Sequence, residues 1–289
     1  MDWLSALNRS LDEIEKHLEG ELDLAKVARM AGCSVYHYQR IFSYLSGMSL
    51  SEYLRRRRMT LAAQYLRMGE KVLDTALRYG YESPTAFNRA FQAVHGVAPS
   101  EAKKEGVSLK AYPRLYFQIT IKGAEQMEYR MEHKPAFQVV GIGRVVGASM
   151  EDNAEIIPQM WTEAVTTGVV ARLSEIITRS DQHPNGILGV CGMMNNEWKY
   201  YIAVASQPSQ DVPKEMEKYD VPESDWAVFS GTGKMPEAIR ELEQRIFAEW
   251  LPSSGYEYAD APDIEAYLTP NPENAAFEVW LPIRKREQA

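Results

Sequence analysis

Apolar residues in the first eighteen positions recur as Trp3, Leu4, Leu7, Leu11, Ile14 and Leu18, the spacing of one helical face, which predicts an amphipathic packing helix. In LDLAKVARMAGCSVYHYQRIFSYLSG a short helix should stop at Gly32, Ser34 can cap a second helix, and that helix should end near Gly47. Helix, tight glycine turn and helix make a helix-turn-helix. The layout returns about 49 residues later in VLDTALRYGYESPTAFNRAFQAVHG, where Ser83, Phe87, Arg89, Phe91 and Gly96 answer Ser34, Tyr38, Arg40, Phe42 and Gly47. Ala76 and Gly80 answer Ala28 and Gly32 at an offset of 48, which places one extra residue in the second turn. Between the units, LSEYLRRRRMTLAAQYLRM reads as a long helix with Tyr53, Leu54, Leu61 and Tyr65 or Leu66 on its inner side.

After Glu105 the texture changes, through the linker-like EGVSLKAYPR to alternating strand patterns such as LYFQITIKG and PAFQVVGIGRVVG. The division expected is a helical domain over 1–106, a linker over 107–112 and a second domain over 113–289. In the second domain the pattern predicts a strand at Phe137 to Val146, a helix from about Ile156 to Thr178, and strands at Ile187 to Met194 and Trp198 to Ser206. The order recurs with a strand at Trp226 to Thr232, a helix from about Met235 to Trp250, and strands at Asp263 to Leu268 and Ala276 to Ile283. The fold class is therefore multidomain, α and α+β: an all-α tandem helix-turn-helix, then an antiparallel sheet with two helices on one face, built from a duplicated strand-helix-strand-strand unit.

Alternation sorts the late strands into faces. Ile264, Ala266 and Leu268 share one side and leave Glu265 and Tyr267 on the other; Phe277, Val279, Leu281 and Ile283 likewise leave Glu278 and Trp280. If both aliphatic sides meet the helices, the opposite face presents two carboxylates among aromatic rings. The same alternation also fits half-exposed sheet residues with solvated carboxylates.

Composition adds limits. With 289 residues, 45% hydrophobic and 25% charged, the chain is ordinary globular material and excludes a disordered, collagen-like or fibrous class. The net charge of −8 is a sum of unlike parts: residues 24–104 carry 13 Lys and Arg against 5 Asp and Glu, a local +8, which leaves −16 for the rest. Cys33 and Cys191 are too far apart for a disulfide framework or a paired-thiolate motif, and a reducing compartment fits. Met1 to Gly20 lacks a signal pattern and no run of about 18 apolar residues occurs, so a soluble cytoplasmic protein without a membrane partner is expected. The five histidines, at 17, 37, 95, 133 and 183, are dispersed, and neither metal nor other cofactor is expected.

The segment from Leu24 to Lys104, and above all GYESPTAFNRAFQAVHGVAPSEAK, resembles the AraC-type DNA-binding domain. The resemblance implies that the second helix of each unit enters the major groove of double-stranded promoter DNA. By position the base-facing residues are then Tyr36, Gln39 and Arg40, followed by Thr85, Asn88 and Arg89, with Ser34 and Ser83 at the helix starts. Arg suits guanine and Gln suits adenine, each by a bidentate pair. The plain alternative is that Arg40 and Arg89 are surface residues or pair with carboxylates. Of Arg55 to Arg58, which point in nearly all directions, one or two are expected to meet phosphate.

Residues from about 110 to 286, with MEYRMEHKPAFQVVGI early and DIEAYL and FEVWLPI late, look like the GyrI-like effector-binding domain. In multidrug-sensing members a glutamate on a late strand attracts organic cations, so Glu265 with Trp280 is the first nomination, followed by Glu278, Tyr267, Trp198, Tyr129 and Trp161. A carboxylate beside aromatic faces is suited to a lipophilic cation. The expectation is a transcription regulator, an activator that meets RNA polymerase and senses a small lipophilic, cationic effector, and not an enzyme. Two alternatives stay open for the second domain: a small-molecule hydrolase using Glu265 with Tyr267, or a module that sequesters or contacts a protein partner.

Overall fold

The computed structural model describes residues 3–118, 126–146, 150–177, 184–194, 197–206 and 212–286. They fall into two compact units, Met1–Gln118 and Ile119–Ala289.

The first unit has six α-helices among the described residues: α1 (Trp3–Lys16), α2 (Leu24–Met30), α3 (Val35–Ser46), α4 (Leu50–Arg67), α5 (Val72–Arg78) and α6 (Pro84–His95). Asp23, Ser34, Ser49 and Ser83 cap α2, α3, α4 and α6, each side chain accepting from the backbone N–H three residues on. A cap of this kind contributes about 1 kcal/mol. α3 and α6 end on Gly47 and Gly96 at φ of +70° and +79°, a conformation that glycine adopts without steric cost. The turn between α2 and α3 spans 31–34 and that between α5 and α6 spans 79–83, one residue longer, as the shift in repeat offset implies.

One core gathers Met59, Ala62 and Leu66 of α4 with Ala76, Tyr79, Phe87, Phe91 and Val94. Around the first helix-turn-helix, Phe42 packs on Tyr38 and Tyr53. The arginine run is largely tied to protein. Arg57 makes a two-pronged contact with Glu15 and a 2.7 Å bond to the Tyr112 carbonyl, Arg58 bonds the carbonyls of Leu18 and Gly20, and Arg55 and Arg56 both meet Glu52.

The expected linker at 107–112 and domain start at 113 are corrected here, because the helical unit runs on to Gln118. Leu109 and Tyr112 join its core, the Tyr112 N–H donates to Thr60 Oγ1, the Leu115 N–H to Tyr53 Oη, and Phe117 is held by Asn8. Residues 115–118 of LYFQITIKG are accordingly not strand, and 119–123 lie outside the described residues.

In the second unit nine strands among the described residues form one antiparallel sheet: β1 (Tyr129–Lys134), β2 (Phe137–Val145), β3 (Ile187–Met194), β4 (Glu197–Ser206), β5 (Glu217–Val221), β6 (Ser224–Gly233), β7 (Tyr256–Tyr258), β8 (Asp263–Tyr267) and β9 (Ala275–Lys285). The order is β1-β6-β9-β8-β3-β4-β2-β5, with β7 on the end of β9. Helices α7 (Met150–Thr166) and α8 (Val169–Ile177) pack on β3 and β4, and α9 (Glu237–Arg245) on β6 and β9. The single helix expected from Ile156 to Thr178 is thus two, broken at Gly168 with φ +76°.

The duplicated strand-helix-strand-strand plan holds, with one addition. β1 precedes β2 yet pairs with β6, and β5 precedes β6 yet pairs with β2, so each half gives a short first strand to the other. Six strand spacings separate β1 from β2 in the sheet, roughly 29 Å if flat, but only residues 135–136 join them, a reach of about 10 Å. The sheet must therefore curl, and the face without helices closes on itself. There Tyr219 and Val221 of β5 share a core with Trp226 and Val228 of β6 and with Trp280 of β9.

Candidate functional site

The second helices of the two helix-turn-helix units, α3 and α6, are positioned by the same devices: Ser34 and Ser83 serve as their N-caps, and buried Phe42 and Phe91 anchor them to the core. On α6, Thr85 and Arg89 are exposed and Asn88 is half-buried, so this helix presents a polar side to solvent. On α3 the corresponding residues are covered: Tyr36, Gln39 and Arg40 are 5%, 9% and 7% exposed, and the Arg40 guanidinium lies 5.8 Å from the centre of the Tyr44 ring. A base contact by these three requires them to become exposed.

The effector nominations separate by strand register. Residues directly opposite in an antiparallel pair share a face. Glu265 stands opposite Val279 on one side and Gly189 on the other, and Tyr267 opposite Phe277 and Ile187; Trp280 stands opposite Ile264, and Glu278 opposite Ala266. Glu265 and Tyr267 are therefore on the helix face and Glu278 and Trp280 on the curled inner face. This corrects the expectation of one open surface holding all four. The reason is that the aliphatic side of β8 lines the inside of the curl whereas that of β9 lies under the helices.

Around Glu265 the structure builds a compact aromatic site. Tyr267 Oη and Tyr200 Oη both donate to Glu265 Oε2, at 2.8 and 3.2 Å, and Trp161 of α7 donates its Nε1 proton to Tyr200 Oη at 3.0 Å. The Trp161 ring stands edge-on to that of Tyr267 at 4.9 Å. Burial, reinforced by the Glu265 charge, holds the Tyr200 and Tyr267 hydroxyls well above the usual phenol range, so both remain donors; the buried Glu243 of α9 adds to the shift of Tyr267. A Cβ on Gly189 would lie 2.2 Å from Tyr200 Oη and 2.9 Å from Glu265 Oε2, so glycine is required where the phenol crosses β3. Tyr200, Gly189 and Glu243 were missed by sequence reasoning. The usable signal was a glycine inside a buried strand.

The other nominations lie elsewhere. Glu278 accepts two bonds from Arg130, at 2.7 and 3.1 Å, and one from Trp280 Nε1 at 2.9 Å, while Arg130 and Lys134 sit 5.5 and 5.7 Å from the centre of the Trp280 ring. That acid and that indole are thus supplied with cations by the chain itself. Tyr129 packs on Phe229 and Trp250, three strands from β8. Trp198 is opposite Met193, four positions along β3 from Gly189, roughly 13 Å away along the strand. A cleft of about 550 Å³ bounded by Ile142, Arg144, Met160, Lys199, Met216 and Glu217 contains none of the nominated residues. Among the described residues no group of three His, Cys, Asp or Glu could hold a metal ion, and no helix is long and apolar enough to cross a membrane.

A tandem helix-turn-helix in front of a doubled strand-helix-strand-strand sheet defines a two-unit DNA-binding transcription regulator with an effector-binding domain. Residues 130–283, more than half of the chain, match the family described as integron-associated effector binding protein, and residues 27–105 match the helix-turn-helix domain family; the chain belongs to these families, as an AraC-type regulator with a GyrI-like second domain. It is 38% identical over 97 residues to the HTH-type transcriptional activator AarP of Providencia stuartii, covering 33% of this chain and 72% of that one. To the multiple antibiotic resistance protein MarA of Escherichia coli (strain K12) it is 43% identical over 90 residues, 31% of this chain and 71% of that one. Among solved structures it is similar in fold to SAV2435 bound to tetraphenylphosphonium, with TM-score 0.47, 23% identity and coverage of 55% of this chain and 94% of that one. An integron cassette protein of Vibrio cholerae gives TM-score 0.37, 16% identity and coverage of 54% and 95%.

Proposed function

We propose that this regulator is an activator whose α6, and α3 when uncovered, read promoter DNA, and whose Glu265 site binds a lipophilic organic cation. The observation that carries the effector reading is the Glu265 carboxylate holding two phenol donors beneath the Trp161 indole. Rings supply apolar area and cation-π attraction, and the carboxylate supplies neutralisation that a neutral molecule cannot use. Activation, with RNA polymerase as partner, is inferred from likeness to the two named relatives in the DNA-binding half. A hydrolytic role is disfavoured because the Glu265 carboxylate already accepts from two phenols, which stabilise its charge and weaken it as a base.

The test is calorimetric titration with tetraphenylphosphonium against the neutral triphenylphosphine oxide. Binding of the cation, its loss by at least tenfold in Glu265→Gln, and weak binding of the neutral compound are expected. Equal binding of both compounds, unchanged by the substitution, would discard the reading.

A further inference from the structure

Residues 109–117 follow the region matched by the helix-turn-helix family and carry no helix or strand, yet side chains from three helices fix their backbone. His95 Nδ1 accepts from the Lys110 N–H, Thr60 Oγ1 accepts from the Tyr112 N–H, Arg57 donates to the Tyr112 carbonyl, and Tyr53 Oη accepts from the Leu115 N–H. Asn8 of α1 closes the series with two bonds to one residue: its Nδ2 donates to the Phe117 carbonyl and its Oδ1 accepts from the Phe117 N–H, both at 2.9 Å. Thus held, the Phe117 ring stands edge-on to Phe42 of α3, with centres 5.9 Å apart and planes at 77°.

Phe42 is fully buried on the inner side of α3. Arg40, two positions earlier, points about 160° around the helix from it at 100° per residue. A displacement of the Phe42 ring therefore rolls or tilts α3 and moves Arg40 on the far side. Bidentate base recognition tolerates little such movement, because it needs donor and acceptor within hydrogen-bond distance at two atoms together. Phe117 also closes a ring cluster in which Tyr38 is tied to Ser10 of α1 at 2.9 Å and Tyr53 to Glu15 at 2.7 Å. Movement at Phe42 is thereby resisted from α1 and α4 as well.

Resting on the proposal that α3 reads DNA once its covered residues are exposed, we infer that residues 109–117 are a strap belonging to the helical unit, and that Phe117, held by Asn8, is a positioning residue for α3. Through Phe117 the strap sets the axial rotation of α3; its contacts with α6 and the core of Phe87 and Phe91 lie earlier, at Leu109, Lys110 and Tyr112, and do not depend on Phe117 or its Asn8 clamp. Loss of Phe117 or of its Asn8 clamp weakens and blurs base reading at one half of the site only.

The experiment uses the full chain and a duplex selected from a random-sequence library by the wild type, with dissociation constants measured for every single-base change. Asn8→Ala and Phe117→Ala are expected to weaken the selected duplex at least tenfold. Lost discrimination should fall at the positions that Arg40→Ala relaxes and spare those that Arg89→Ala relaxes. If Arg40→Ala relaxes nothing, its own base contact is wrong, and the strap is still tested by whether the loss is confined to positions outside the Arg89 set. Should the alanine variants fail to fold, Asn8→Asp and Phe117→Leu carry the test, with the same pattern at roughly threefold. Wild-type discrimination in all variants, or uniform relaxation across both halves, overturns the assignment.

Discussion

Glu265 stands directly opposite Val279 in the ladder between β8 and β9, one position away from where it would share a face with Trp280. That register decides which acid meets which rings. Cation binding should therefore depend on Glu265 and not on Glu278. We expect Glu278→Gln to leave the affinity for tetraphenylphosphonium within twofold and Glu265→Gln to reduce it at least tenfold, both by calorimetry; the reverse ranking would move the site to the other face.

Tyr200 links a helix to the sheet, since its hydroxyl accepts from Trp161 and donates to Glu265. Tyr200→Phe removes both bonds at a buried point and leaves the indole N–H and the carboxylate to find other partners. A loss of about 1–3 kcal/mol in unfolding free energy is expected from denaturant titration. Trp161→Phe, which removes only one donor, should cost less.

The arginine run divides into structural and dispensable members. The side chains of Arg57 and its partner Glu15 are each only 11% exposed, so Arg57→Ala leaves a shielded carboxylate without its cation, though still bonded by Tyr53, frees the Tyr112 carbonyl, and should destabilise by roughly 3 kcal/mol. Arg55 is half-exposed and its pair with Glu52 is screened; Arg55→Ala should change stability by less than about 0.5 kcal/mol. Thermal or urea unfolding of both variants checks the contrast.

His95 gives the helical unit a pH dependence of defined sign. Its Nδ1 accepts from Lys110 N–H, so Nε2 must carry the proton and donate to the Met59 carbonyl at 3.0 Å, which requires the neutral ring. Burial lowers its pKa below the ordinary histidine value of 6.5. The unfolded chain then binds more protons between that lowered value and 6.5, so stability is present above about 6.5 and is lost as pH falls through this window. Melting temperature should decline from pH 7 to pH 5, and His95→Gln should flatten that part of the decline. An identical slope in the variant would assign the effect to other groups.

Base reading by α6 is the most accessible test of the DNA half, because Arg89 is already exposed. Arg89→Ala should cost about 1–3 kcal/mol on a selected duplex and relax discrimination at one position. Equal losses on selected and random duplexes would show a phosphate contact instead.

Much of this was legible in the residues. The tandem motif could be read because caps and glycines are local signals: Ser34, Ser83, Gly47 and Gly96 do in the structure what their positions suggested. Strand faces could be read singly, but alternation says nothing about how two strands are aligned, and the pairing of Glu265 with Val279 is set by partners across the sheet. β1 and β5 escaped notice because they are short and charged, and the sheet accepts them at its two ends. The strap escaped because its fixings, from Asn8 to His95, lie 15 to 109 residues away in the chain.

The exchange of β1 and β5 bears on how the effector-binding unit could have arisen and how it can be cut. Each strand-helix-strand-strand half lacks, on its own, the edge strand that its twin provides. A polypeptide comprising either half alone would expose an unpaired edge and the inner aromatics of the curl, so the halves are obligate complements. A duplicated ancestor is then most naturally a pair of identical chains swapping first strands, and cleaving the present chain between β4 and β5 should leave two fragments that regain structure only when mixed.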